Sequence, residues 1–131
     1  MTSSPTQRAA QPRWPGAIAA AAGASAVILG ALGAHGLQGQ LSAQMLEVWH
    51  TAVRFQFWHA LALAICALLR RSHAIDLAAI LFTVGMLLLC GSLYALALDA
   101  PSAVGVLTPL GGLAFIVGWI SLGVGFYHRS E

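Results

Sequence analysis

Nine polar side chains lie within or beside the long apolar stretches of this chain, and their types could bind a charged ligand or carry a proton. They are His35, Glu47, His50, Arg54, Gln56, His59, Ser92, Tyr94 and Thr108. Ionisable groups in such surroundings are costly to keep and are often functional. Glu47 and Arg54 are the most informative, because a helix brings residues seven apart to one face, where the two charges neutralise each other. We take these nine residues as the candidate polar site.

Two interpretations of this site remain open on the sequence alone. Glu47 and Arg54 either form an internally paired anchor at the membrane interface, or provide a site for an anionic headgroup or a proton path. His59 is either a neutral structural residue, bonded to a backbone carbonyl or to Gln56, or a metal ligand. Zinc needs three or four converging ligands, and no HxxxH or CxxC spacing is present. We therefore predict no metal and no cofactor.

The distribution of charge indicates which elements must position these side chains. Only 8% of the 131 residues are charged, against about 25% in a typical soluble domain. Four tracts carry no charge at all, between Arg13 and Glu47, Arg54 and Arg70, Asp76 and Asp99, and Asp99 and Arg129. This pattern predicts an all-α polytopic membrane protein, an antiparallel four-helix transmembrane bundle. The few scattered arginines do not form the basic stripe of a nucleic-acid-binding protein.

We predict a single membrane domain over residues 16–128, whose spans cover residues 16–37, 50–69, 75–98 and 104–127. Residues 1–15 are polar and contain prolines, and we expect them to form a disordered cytoplasmic tail. Residues 41–49 resemble a short amphipathic helix that runs into the second span, with Ser42 as its N-cap.

Positive charge predicts the orientation of the bundle. With both termini in the cytoplasm, five of the six arginines lie on the cytoplasmic side, namely Arg8, Arg13, Arg70, Arg71 and Arg129. Arg54 is then the one arginine toward the outside. We expect an inner-membrane, multi-pass protein with its N-terminus and C-terminus in the cytoplasm.

Small residues at helical spacing predict how the spans pack. Ala22, Ala26, Gly30 and Ala34 form a stripe along the first span, and Ala114 and Gly118 form a shorter one in the fourth. Such stripes let helix backbones approach closely in lipid. They indicate either a tight four-helix bundle or a face that meets a second copy of the chain.

Four motifs occur in order along the chain: GALGAHGL at residues 30–37, WHTAVRFQFWHALA at 49–62, GSLYAL at 91–96 and LTPLGG at 107–112. Together they resemble the domain of unknown function 423 family of small inner-membrane proteins, which is related to the eukaryotic transmembrane protein 256 family. The resemblance covers about residues 16–125. It implies a four-span membrane protein of unassigned biochemical role, and it supplies no catalytic or cofactor residues.

These observations favour a structural or accessory protein that packs against a membrane complex or lipid. The alternative is an oligomeric transporter or binder of small molecules or ions that uses a polar site in the outer leaflet. We expect no enzymatic activity, because the carboxylates are separated by sequence and by membrane side. The expected partners are the lipid bilayer and other membrane subunits or a second copy, without nucleic acid.

Overall fold

Four long apolar spans, built from five α-helices and three short helical turns, make up the structure, a computed structural model that describes residues 12–129. Most of the predicted tail, residues 1–11, lies outside the described residues. The helices are α1 (Trp14–Ala31), α2 (Ala43–Leu68), α3 (His73–Gly85), α4 (Gly91–Ala97) and α5 (Leu107–Arg129). Single π-helical turns follow α1 (Leu32–Gly36) and join α3 to α4 (Met86–Cys90), and a 3₁₀ turn (Ser102–Val106) precedes α5.

These elements form four spans that are each long and apolar enough to cross a membrane. Span 1 is Trp14–Gly36, span 2 is Ala43–Leu68, span 3 is His73–Ala97 and span 4 is Ser102–His128. The described residues contain no β-strand. The prediction of an all-α, four-span membrane fold is therefore confirmed.

Local sequence explains where the central spans begin. The Ser42 hydroxyl accepts a hydrogen bond from the Met45 backbone N–H at 3.1 Å, and Ser72 caps span 3 by accepting from Ile75 N–H at 3.2 Å. Serine at this position satisfies one of the free N–H groups at a helix start. Because span 2 begins directly after Ser42, the predicted amphipathic segment and second span form one uninterrupted helix.

Spans 2 and 3 form the centre of the bundle, and spans 1 and 4 flank it. Span 1 packs on span 2, while span 4 packs on span 3. The largest fully buried side chains are Phe82, Leu63, Leu122 and Cys90. Spans 1 and 4 bury a much smaller share of their residues than the central pair, so one long apolar face of each is turned outward.

The predicted small-residue stripe of span 1 lies mainly against span 2. Ala26 is buried, and a Cβ on Gly30 would approach Val53 Cγ1 to 3.3 Å. Ala34, which the stripe also included, is exposed instead. The π-helical turn adds a residue to the last turn of this span and so rotates the stripe, with the result that Gly33 is buried against Trp49.

The stripe of span 4 lies against span 3. Ala114 is partly buried and Gly118 is buried beside Phe82, whose Cε1 would lie 2.9 Å from a Cβ on this glycine. Gly111 permits a close approach between backbones, because a Cβ there would lie 2.7 Å from Leu89 Cβ and 2.9 Å from Leu89 Cα. A missing side chain therefore permits this contact, as the small-residue pattern predicts.

Substitution of Gly111 tests this packing. Gly111→Ala is expected to lower the free energy of unfolding by about 1–3 kcal/mol, because the new methyl group meets Leu89 backbone atoms that cannot move without shifting the helix. Gly123→Ala is the matched control, since a Cβ at Gly123 meets nothing within 4 Å. Unfolding in lipid bicelles measures both, and equal stabilities of the two variants would contradict the packing described.

Candidate functional site

Gln56 lies at the centre of the polar contacts within the bundle. Its Nε2 donates to the Ala22 carbonyl oxygen at 2.9 Å and to Ser25 Oγ at 2.8 Å, both in span 1. Its Oε1 accepts from the Tyr94 hydroxyl at 2.8 Å, in span 3. One buried amide on span 2 thus holds the helices on either side of it through hydrogen bonds.

Trp49 reinforces the same junction two turns earlier on span 2. Its indole N–H donates to the Leu29 carbonyl of span 1 at 2.8 Å. Its ring meets the Tyr94 ring edge-on, with centroids 4.7 Å apart. Aromatic pairs in this geometry are favourable, and the indole N–H of the buried Trp49 is hydrogen-bonded, as a buried polar group requires. Spans 1, 2 and 3 therefore share one connected set of polar and aromatic contacts.

His59 joins span 2 to span 4, and its hydrogen-bond partners determine which ring nitrogen carries the proton. Trp119 Nε1–H, which can only donate, bonds to His59 Nε2 at 3.0 Å. Nε2 must therefore be the unprotonated nitrogen, and Nδ1 carries the proton that it donates to the Phe55 carbonyl at 2.7 Å. The ring also stacks on Phe115, with centroids 3.5 Å apart. Both ring nitrogens of this neutral imidazole are occupied by partners inside the bundle.

Ser92 and Thr108 form a third, separate contact. Their hydroxyl oxygens lie 2.6 Å apart and connect span 3 to the start of span 4, and Ser92 also bonds to the Leu89 carbonyl at 2.9 Å. Ser92 is buried. This pair supports the close approach of Gly111 to Leu89, so its role in the fold is to fix the two helices in register.

Glu47 and Arg54 lie on the outer surface of span 2. Arg54 Nη2 donates to Glu47 Oε1 at 2.9 Å and to Thr51 Oγ1 at 3.2 Å. The side chains remain 50% and 68% exposed for Arg54 and Glu47, respectively. The predicted ion pair therefore exists, and it is turned away from the interior of the bundle.

An apolar groove of about 340 Å³ runs beside this ion pair, between spans 1 and 2. Its walls are Ala26, Val27, Gly30, Ala31, Val53, Arg54, Phe57 and Trp58. The small residues of span 1 keep the groove open, and Trp58 is 53% exposed at its edge. Charge and apolar surface thus meet at one outward-facing place.

The remaining two candidates stand apart from these contacts. His35 is exposed in the π-helical turn at the end of span 1. His50 is partly buried, and its Cε1 would lie 3.1 Å from a Cβ on Gly33. The nine candidates therefore form several local contacts, of which Gln56–Tyr94, Ser92–Thr108 and Glu47–Arg54 are direct pairs. Within residues 12–129, no three His, Cys, Asp or Glu residues are grouped so as to hold a metal ion.

Comparison with known proteins identifies the family. The family model described as "Protein of unknown function (DUF423)" matches residues 29–112. The chain belongs to this family. The UPF0382 membrane protein YwdK of Bacillus subtilis is 44% identical over 101 residues, which cover 74% of this chain and 82% of that relative. A UPF0382 membrane protein of Haemophilus influenzae is 39% identical over 116 residues, or 87% and 94% of the two chains.

Membership confirms the resemblance of the four motifs and the assignment as a multi-pass membrane protein of a family without a known function. No solved structure matches the chain. The segment matched by the DUF423 model contains Gln56, His59 and Tyr94, while their partners Ser25 and Trp119 lie outside it.

Sequence reasoning missed Ser25, Trp49, Phe115 and Trp119 as members of these contacts. A signal for two of them was available, because a tryptophan inside an apolar span carries an N–H that needs an acceptor. The acceptor is His59 Nε2 for Trp119 and the Leu29 carbonyl oxygen for Trp49. Ser25 carried a weaker signal as a lone hydroxyl in the Ala- and Gly-rich first span.

A double-mutant cycle on Gln56→Leu and Tyr94→Phe tests the central junction. Each single change removes the bond between the two side chains, so the double variant is expected to lose less stability than the sum of the single variants. The coupling expected for such a bond in a membrane protein is about 0.6 kcal/mol, and at most about 1.7. Unfolding in bicelles measures it.

The matched control replaces Tyr94→Phe with Ser121→Ala, because Ser121 donates to Ala74 at a different helix contact, at 2.6 Å. The Gln56→Leu and Ser121→Ala changes should be additive. Additivity of Gln56→Leu with Tyr94→Phe as well would show that these two side chains are not joined.

Proposed function

We propose that this protein is a non-enzymatic accessory component of the inner membrane, which docks on another membrane component through the surface around Glu47 and Arg54. The observation that carries the proposal is the outward direction of this ion pair. Charged groups within spans nearly always face the interior of a bundle or a water-filled cavity. An exposed pair on a membrane-spanning helix is best matched by a polar group of a neighbouring molecule.

The position of Arg54 along span 2 strengthens this argument. It lies 11 residues after Ala43 (54 − 43) and 14 before Leu68 (68 − 54), which is about 17 Å and 21 Å at ~1.5 Å per residue. The arginine is therefore near the middle of the helix. Its guanidinium reaches back toward Glu47 and the start of the helix, so the pair provides one neutral but strongly polar spot on an apolar surface.

The interior of the bundle supports the same proposal. Gln56, Tyr94 and His59 direct their polar atoms at each other, at Ser25 and Trp119, or at backbone carbonyls. Within the described part of the chain, no buried side-chain nitrogen or oxygen lacks a hydrogen-bond partner. These groups stabilise the bundle, which favours an interacting surface over a path through the middle.

The adjacent groove favours a second candidate function, the binding of a lipid or small molecule at the same surface. Its apolar walls suit an acyl chain, and Arg54 lies at its margin. This candidate corresponds to a small-molecule or ion binder that uses an outer-leaflet polar site. The two candidate functions differ in the partner that they require. Lipid binding requires only a monomer with a bound lipid, without a partner protein.

Native mass spectrometry of the protein extracted from membranes in mild detergent distinguishes the two functions. A protein partner or second copy should be present in fixed stoichiometry. Arg54→Leu should weaken that assembly by about tenfold to a hundredfold, since hydrogen bonds to charged groups contribute about 1.5–3 kcal/mol each. Leu68→Ala is the control, because Leu68 is 86% exposed at the other end of span 2.

A monomer that retains lipid through Arg54 would favour the second function. An assembly that Arg54→Leu and Leu68→Ala affect equally would contradict docking at the Arg54 surface. Loss of folded protein in Arg54→Leu is separated from loss of assembly by measuring thermal stability of the same sample, with Arg54→Lys as a charge-retaining variant.

We also propose that both termini face the cytoplasm. Arg13 precedes span 1, and Arg70 and Arg71 connect spans 2 and 3, so these three arginines lie at one end of an antiparallel bundle. His128, at the end of span 4, lines the same pocket as Arg70 and Arg71. Positive charge of this kind is retained on the cytoplasmic side of membranes.

Cysteine labelling tests this orientation. In a Cys66→Ala, Cys90→Ala background, Ser102→Cys should react with a membrane-impermeant maleimide in right-side-out vesicles. His73→Cys should react only after the vesicles are permeabilised, because it lies at the opposite end of span 3. Both side chains are exposed, so accessibility reports the side of the membrane. The reverse labelling pattern would overturn the proposed orientation.

A further inference from the structure

A cavity lined by basic side chains lies at the opposite end of span 2 from Glu47. It has a volume of about 350 Å³, is open on one side, and is bordered by the connection between spans 2 and 3, the start of span 3 and the end of span 4. Its lining residues are Leu69, Arg70, Arg71, Ser72, Ile75, Gly125 and His128. The cavity therefore combines basic side chains with apolar walls at one end of the spans.

Close helix packing holds this cavity in shape. A Cβ on Gly125 would lie 2.9 Å from Ile75 Cγ1, so this glycine allows span 4 to meet the start of span 3. One turn earlier, Ser121 Oγ donates to the Ala74 carbonyl at 2.6 Å and fixes the same two helices. The cavity thus lies between elements that are already joined, and its basic residues line a preformed space.

The charges around the cavity are unbalanced. Arg71 Nε donates to Asp76 Oδ2 at 2.7 Å, so this pair is neutral. Arg70 lines the cavity without a carboxylate partner among the described residues. His128 lines it from span 4. Asp76 is the one acidic residue on the described segments that form the cavity, and its carboxylate is already paired with Arg71. The cavity therefore presents net positive charge.

We propose that this cavity binds the phosphate of an anionic glycerophospholipid. Arg70 supplies the opposing charge, and Leu69 and Ile75 provide apolar contact for the part of the lipid next to the headgroup. Basic pockets between spans bind anionic lipid headgroups in other membrane proteins, because charge attraction and apolar contact act together. A lipid contacts both the basic and the apolar side chains of the cavity, whereas a free phosphate ion would contact only the basic ones. The site is independent of the Arg54 surface.

Thermal unfolding of the detergent-solubilised full chain tests the proposal, with a short-chain phosphatidylglycerol, a phosphatidylcholine of equal chain length and inorganic phosphate as separate additions. Phosphatidylglycerol should raise Tm more than phosphatidylcholine at each concentration. Arg70→Gln should weaken the apparent affinity for phosphatidylglycerol about fivefold, because one basic residue near a membrane surface contributes about 1 kcal/mol to the binding of anionic lipid. Arg70→Lys should retain most of it.

Arg13→Gln is the matched control, because it removes the same charge at the start of span 1, outside the cavity. It should leave the affinity for phosphatidylglycerol unchanged. Equal weakening by Arg70→Gln and Arg13→Gln would overturn the site in favour of general surface charge. Equal stabilisation by both lipids, or by inorganic phosphate and phosphatidylglycerol, would overturn the assignment of an anionic lipid.

Discussion

The structure depends on one constraint, that a polar group buried in a membrane protein must find its hydrogen-bond partner within the protein. Gln56 meets this constraint by bonding to span 1 with its amide nitrogen and to span 3 with its amide oxygen. His59 meets it by bonding to Trp119 of span 4. The polar residues of span 2 therefore fix the positions of all three other spans, while the small residues set how closely the helices approach.

The same constraint separates the polar groups that stabilise the bundle from those that we propose act in binding. Groups that are satisfied inside the bundle hold it together and leave little for a ligand to bind. Glu47 and Arg54 satisfy one another yet remain on an outward-facing surface, next to a groove between spans 1 and 2. Arg70 lies at the opposite end of span 2 without an acidic partner among the described residues. Interaction with neighbours is therefore expected at these surfaces.

Sequence alone predicted the fold because the charge-free tracts and their lengths allow few other arrangements. It also predicted the Glu47–Arg54 pair, since both charges lie on one helix at known spacing. It could not predict that Gln56 and Tyr94 meet, or that Trp119 bonds to His59, because these contacts depend on the rotation of separate helices. Sequence alone also could not predict that Ala34 is exposed. The π-helical turn at Leu32–Gly36 rotates the end of span 1, and its single extra residue leaves no clear mark in composition.

Solid-state NMR of the histidine ring nitrogens in lipid bilayers measures whether the buried polar groups are bonded to each other within the bundle. We expect His59 to be present as one neutral tautomer, with the proton on Nδ1 and a hydrogen bond from the Trp119 indole N–H to Nε2. The exposed His35 in the same sample provides the reference for a histidine ring that is not buried inside the bundle. A cationic His59, or one with its proton on Nε2, would break the bond to Trp119 and contradict the structural role of the buried polar residues.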